Sequence, residues 1–217
     1  MASHDIIDNR TESLAEHIRQ LLANSQRAKF AVGYFFLSGF ESIADRLQEI
    51  DELRLLIGNT STRETIEQLV EGYNRLDVVE QLTDKQQYLT PAQQKAVAQD
   101  TAKHIRRDIE MMDQTDEAER LLPTLARLIE EKKVKVRVYT KGRLHAKAYV
   151  FDYPPTHDQR GVAIVGSSNL TLAGVRHNTE LNVKVYGDNN HQALTDWFEG
   201  LWAEAREFEE FLLHELN

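Results

Sequence analysis

Two groups of short strand-like segments, far apart in the chain, constrain the fold most. The first is KFAVGYFFL (29–37) and ELRLLIGN (52–59), dense in the aromatic and branched aliphatic residues that suit a buried strand. Between them Ser38-Gly39 breaks the pattern and FESIADRLQEI (40–50) has helical spacing. Strand, helix, strand at this separation is a βαβ unit, which makes the sheet at least partly parallel. The second group is VKVRVYT (134–140), RLHAKAYVFD (143–152), VAIVG (162–166) and ELNVKVYG (180–187). Between the groups, from about 62 to 131, the chain is polar and helical in pattern at 63–72, 91–112 and 117–131, with interruptions at Pro91 and Pro123. A sheet built from both groups must therefore carry a helical insertion in mid-chain. ESLAEHIRQLLA (12–23), with Thr11 as N-cap, adds an early helix, and HQALTDWFEGLWAEAREFEEFLL (191–213) a closing one. The predicted class is α/β: an at least partly parallel sheet flanked by helices, one domain over 1–217 with the insertion at about 62–131. The last helical pattern has no stop signal, so the expectation includes a longer protein of which this is the N-terminal part.

Composition narrows the functional classes. With 217 residues, 41% of them hydrophobic, the chain can bury a real core. It has no cysteine, which excludes disulfides and thiolate metal sites. No apolar run reaches about 18 residues, and MASHDIIDNR lacks a signal-peptide pattern. A cytoplasmic protein that does not span a membrane is expected. Net charge is −9, yet Lys132, Lys133, Lys135, Arg137, Lys141, Arg143 and Lys147 follow one another without an acid between them. Lysines of this kind also protect strand edges, a reading that fits Lys132 and Lys133 better than Arg143 and Lys147.

RLHAKAYVFD places Arg143, His145 and Lys147 at alternate positions. In a regular strand they share one face, with Leu144, Ala146, Ala148 and Val150 on the other. His145-Ala146-Lys147 is followed by Asp152, then by Gly166-Ser167-Ser168-Asn169, and eleven residues after Asn169 by Glu180. This resembles the phospholipase D superfamily, whose pattern is H-x-K-x4-D followed by G-S-x-N. Every position of that pattern is matched. The resemblance covers about 134–186, and the earlier GYFFLSGF and LRLLIGN are similar to the first half of that fold.

The resemblance implies a phospholipase D-like mixed sheet and a phosphodiester-cleaving site with His145, Lys147, Asn169 and Glu180 as its catalytic residues. The residue types suit the chemistry. A neutral imidazole can attack phosphorus and form a phosphohistidine, splitting one difficult displacement into two. Lys147 and Asn169 can donate to the non-bridging oxygens. Glu180 resembles the acid that orients the histidine through its other ring nitrogen. Ser167, Ser168, Arg143 and Lys141 are candidate substrate-binding residues. Asp152, on the opposite face from His145 in a regular strand, and Gly166 are structural candidates. His4, His17, His104, His157, His177, His191 and His214 have no metal-ligand spacing and read as surface residues. No metal and no cofactor are expected.

The family mechanism uses two histidines, normally from two motifs, and this chain has one. The expectation is a homodimer in which His145 faces its own mate across a two-fold axis. The acidic closing helix disfavours anionic lipid, whereas the basic segments suit a polyanion. The main expectation is a metal-independent nuclease or phosphodiesterase acting on DNA or another nucleic acid. The alternatives are a nucleic-acid-binding or dimerisation module with little turnover, and a phospholipase-type enzyme. In length and in GYFFLSGFESI the chain also resembles phospholipase D-like domains found ahead of helicase modules in bacterial DNA-processing proteins. No Walker motif occurs in these residues, so such a module would lie beyond Asn217.

Overall fold

The order of the strands in the sheet, rather than their order in the chain, sets where the chemistry can sit. The computed structural model describes residues 5–33, 37–58, 92, 95, 96, 99, 116–170, 175–176 and 179–209. In chain order the elements are β1 (Ile6–Asp8), α1 (Leu14–Leu22), β2 (Arg27–Val32), α2 (Leu37–Glu41), a 3-10 turn (Arg46–Gln48) and β3 (Glu52–Ile57). They continue with α3 (Asp116–Glu130), β4 (Val134–Val138), β5 (Lys147–Asp152), β6 (Gly161–Gly166), β7 (Leu181–Val185), α4 (Asp188–Glu204) and β8 (Arg206–Glu207). The strands form one eight-stranded sheet in the order β1-β7-β6-β5-β2-β3-β4-β8. β2, β3 and β4 run parallel, and every other pairing is antiparallel. The early strands thus sit beside strands from the second half, as the two-group pattern requires.

Both faces of the sheet are covered, which is the usual consequence of parallel strands joined by helices. On one face Phe30, Leu55, Val136, Tyr149 and Ile164 line up across neighbouring strands. They form the main core with Leu14, Ile18 and Leu22 of α1 and with Leu125 and Leu128 of α3. Phe30 makes edge contacts with Tyr149 and Phe151 at centroid distances of 5.0 and 5.5 Å. On the other face α4 lays Phe198 and Trp202 over Ala31, Leu56 and Leu144. Beyond this small apolar patch α4 is held by charge: Arg54 bonds Glu199 at 2.9 Å and Glu52 at 2.7 Å, and Lys135 pairs with Glu52. Burial pushes the Glu52 carboxyl up, but Lys135 and Arg54 together hold it below the ordinary value.

Several sequence expectations change. The helix expected at 40–50 is shorter and starts earlier: α2 ends at Glu41 and a 3-10 turn follows. Ser13, not Thr11, occupies the N-cap of α1. Its hydroxyl bonds the Val175 carbonyl at 3.1 Å, and Asn9 Oδ1 receives the Leu14 amide at 2.9 Å instead. Asn9 follows β1, an edge strand against β7 that alternation over three residues was too short to reveal. α3 runs through Pro123; the apolar face carrying Leu125, Leu128 and Ile129 packs into the core and offsets the amide bond that proline cannot make. The closing helix stops at Glu204, and Arg206–Glu207 pair with β4. The expected helix at 63–72 lies outside the described residues, as does most of 91–112, where positions 92, 95, 96 and 99 are helical.

Candidate functional site

The parallel strands β2, β3 and β4 end on the same side of the sheet as the start of β5 and the end of β6. In open α/β sheets that carboxyl end is where ligands bind, because loops converge there over a rigid scaffold. Two glycines shape it. Gly33 follows β2, and a Cβ there would lie 3.0 Å from the Leu144 carbonyl oxygen. Gly58 follows β3, and a Cβ there would lie 2.5 Å from the Gly33 oxygen and 3.0 Å from that of Leu144. Side chains at either position would push the 143–146 segment off the strand ends.

That segment is the first correction to the motif. β5 begins at Lys147, so 143–146 is an irregular approach and not strand. Arg143, His145 and Lys147 therefore do not form one row on a regular face. Once the strand starts, Lys147 shares its face with Tyr149 and Phe151, the main core, while Ala148 and Val150 lie on the α4 side. The lysine is 7% exposed, and its Nζ donates to the His145 carbonyl at 2.9 Å. His145 itself is exposed, as are Arg143 and Lys141.

The GSSN segment meets this approach from β6. The same point above Gly33 lies 3.4 Å from Asn169 Oδ1 and 3.7 Å from the His145 Cα. Histidine and asparagine, 24 positions apart by their numbers, thus share one small neighbourhood at the sheet end. Ser167 is exposed, and its hydroxyl accepts the Leu181 amide at 3.1 Å. Ser168 is fully buried, with its hydroxyl held by Asn182 at 2.8 Å. Ser168 is thus turned inward, toward β7. Glu180 is half-buried directly before β7. Burial pushes the Tyr149 phenol well above its ordinary value, and the Glu180 charge adds to the shift.

Asp152 sits at the other end of β5, five residues and about 17 Å from Lys147 at the strand rise of roughly 3.4 Å per residue. It is on the α4 face, where Lys29 pairs with one oxygen and His191 Nε2 lies 3.0 Å from the other. Burial raises the Asp152 pKa, but the His191 contact and the Lys29 charge outweigh it and hold the carboxyl below its usual value. His191, read from sequence as a surface residue, is 5% exposed. It belongs to the first turn of α4, whose docking against β5 buries it.

The basic run divides as well. Lys133 bonds the Gln48 carbonyl, Lys135 pairs with Glu52, and Arg137 reaches the Trp202 carbonyl at 2.7 Å and Glu207 at 3.3 Å. These cations hold strand ends and helix to one another. Lys141, nearer the candidate site, has its Nζ 3.8 Å from Glu204 in an exposed pair. Sequence reasoning missed Gly33, Gly58, Tyr149 and Asn182. Gly33 fell inside the strand expected over 29–37, which ends instead at Val32, whereas Gly58 was legible as the residue closing an apolar strand. Asn182 was not, because the alternation in ELNVKV places Leu181 and Val183 inward, yet Leu181 is 59% exposed and Asn182 1%.

Solved structures share this architecture. The fold is similar to Nuc from Salmonella typhimurium, a phospholipase D family member, at 10% identity and a TM-score of 0.52 over 94% of this chain and 97% of that one. It is similar to NucT from Helicobacter pylori at 11% identity and a TM-score of 0.50, covering 95% and 99% of the two chains. It also matches a phosphatidylserine synthase from Haemophilus influenzae at 15% identity and a TM-score of 0.54, over 96% of this chain and 40% of that one. No curated protein sequence matches the chain significantly. The family model described as "Cardiolipin synthase, PLD-like domain" matches residues 18–202. The chain therefore belongs to the phospholipase D-like family.

Proposed function

We propose that this protein is a metal-independent phosphodiesterase that cleaves nucleic acid through a phosphohistidine on His145. The observation that carries the reading is the meeting of His145 and Asn169 above Gly33, at the carboxyl end of the parallel strands, with the Lys147 ammonium bonded to the carbonyl of His145. The neutral imidazole attacks phosphorus, so a P–N bond forms as the P–O bond to the leaving oxygen breaks. Lys147 and Asn169 donate to the non-bridging oxygens, where charge develops. Glu180 orients the imidazole. A second imidazole protonates the leaving oxygen, then takes a proton from the water that attacks phosphorus and releases His145. That second group is His145 of another copy, so the working unit is a homodimer with one composite site.

Nucleic acid is favoured as substrate by Arg143 and Lys141, which are exposed in the approach to His145; phosphate contacts of this kind are largely independent of sequence. Among the described residues no helix is long and apolar enough to cross a membrane. Wild type and His145→Ala are incubated in EDTA with plasmid DNA, single-stranded DNA and bis(p-nitrophenyl) phosphate. Wild type hydrolyses them and sediments as a dimer of the 25.0 kDa chain, while the variant is inactive. If neither protein cleaves but both bind DNA, the chain is a binding module. Activity that vanishes in EDTA and returns with Mg2+ defeats the histidine mechanism.

A further inference from the structure

We propose that Tyr149 and Asn182 are positioning residues, a buried clamp that sets the 166–169 loop and with it the Asn169 amide; the catalytic part of this inference rests on the phosphodiesterase reading above. All three polar groups of Ser168 are tied to side chains of neighbouring strands. Its amide donates to Asn182 Oδ1 at 3.4 Å, its hydroxyl accepts from Asn182 Nδ2 at 2.8 Å, and its carbonyl accepts the Tyr149 hydroxyl at 2.8 Å. That carbonyl belongs to the peptide plane leading into Asn169, and a planar peptide transmits its orientation to the next Cα. One residue earlier, Ser167 is held to β7 through its amide, 3.2 Å from the Leu181 oxygen.

Three features set the clamp apart from ordinary core packing. Burying an amide costs free energy that an apolar residue would not incur, and β7 has apolar neighbours available, yet Asn182 is 1% exposed while Leu181 is 59% exposed. The loop is also shaped around that amide: a Cβ on Gly166 would lie 2.3 Å from Asn182 Oδ1 and 2.5 Å from the Leu181 oxygen. Finally, full burial and the Glu180 charge keep the Tyr149 phenol protonated, so it remains a donor to Ser168 throughout the pH range of a histidine mechanism.

The test uses Tyr149→Phe, which removes one hydroxyl, and Asn182→Leu, which replaces the amide by an apolar group of similar size. Two readouts are taken on folded protein: steady-state kinetics on bis(p-nitrophenyl) phosphate and the side-chain NH2 resonances of Asn169, assigned by their loss in Asn169→Ala. A small misplacement of a catalytic group can cost on the order of 100-fold in rate. The expected result is a fall in kcat of about 10- to 100-fold with KM within about twofold, unmoved pH-profile midpoints, and shifted Asn169 NH2 resonances. Unchanged kcat and unchanged resonances in folded Tyr149→Phe overturn the proposal, whether or not Asn182→Leu folds. If the wild type hydrolyses nothing, the phosphodiesterase reading fails alone, and the Asn169 resonances still decide whether the clamp sets the loop.

Discussion

The two ends of β5 carry the two ends of one sequence motif, and they are built in opposite ways. At the Lys147 end the backbone enters irregularly over two glycines, His145 is exposed, and Asn169 arrives from a separate strand. At the Asp152 end the carboxylate is closed in between Lys29 and His191 beneath the first turn of α4. One end presents side chains to whatever approaches the sheet. The other neutralises its charge internally and fixes a helix. The spacing of His145, Lys147 and Asp152 thus joins an exposed approach to a structural anchor, because one short strand runs between them.

The sharpest way to separate the ends is Asp152→Asn. An amide cannot form the charge pair with Lys29 and leaves that ammonium partly buried, so unfolding free energy should drop by roughly 2 kcal/mol. Activity per folded molecule should stay within about twofold, since the change is about 17 Å from Lys147. The pH dependence follows from the lowered carboxyl. A group whose folded pKa is depressed adds stability above its unfolded value and loses it as pH falls through the folded one. Wild type should therefore lose this contribution as the pH drops below the ordinary Asp value of 3.8, while Asp152→Asn should lack that component of acid sensitivity. Urea unfolding at several pH values reads both, and equal acid sensitivity in the two proteins would remove the anchor role.

Gly33→Ala acts on the other end. Its Cβ would sit 3.0 Å from the Leu144 oxygen, which must give by a few tenths of an ångström, and 3.4 Å from Asn169 Oδ1, in contact with it. Hydrolysis should fall by about 10-fold through misplacement of the reacting groups, with stability changed by less than about 1 kcal/mol. A loss of stability larger than that of Asp152→Asn would erase the contrast between the ends.

The smallest effect belongs to Lys141→Gln. Its pair with Glu204 is exposed on both sides, so stability should move by less than about 0.5 kcal/mol. If Lys141 meets a phosphate, the logarithmic salt dependence of DNA binding should fall by about 0.9 for a duplex. An unchanged salt slope takes Lys141 out of the DNA contact.

How much was legible in the sequence depended on whether the signal was local. The strands around Phe30, Leu55 and Tyr149 are apolar enough to be read directly. The residues of the H-x-K-x4-D and G-S-x-N patterns lie on and beside two consecutive strands, and the family resemblance named them as a group. Asn182 and His191 could not, because their burial depends on which element covers them, and that is set by partners 14 and 39 positions away by their numbers. The cations at 133–137 looked like a nucleic-acid face because their acidic partners, Glu52 and Glu207, lie far off in the chain.

The sequence by itself carried an at least partly parallel sheet, the mid-chain change to helical pattern, and the motif running from His145 to Glu180, since periodicity and spacing are properties of neighbouring residues. Tertiary structure alone decided that β5 starts at Lys147, that 143–146 crosses over Gly33 and Gly58, and that Asp152 is an anchor held by Lys29 and His191. Those outcomes turn on close approach and charge pairing between distant segments, which only the packed sheet brings within a few ångströms.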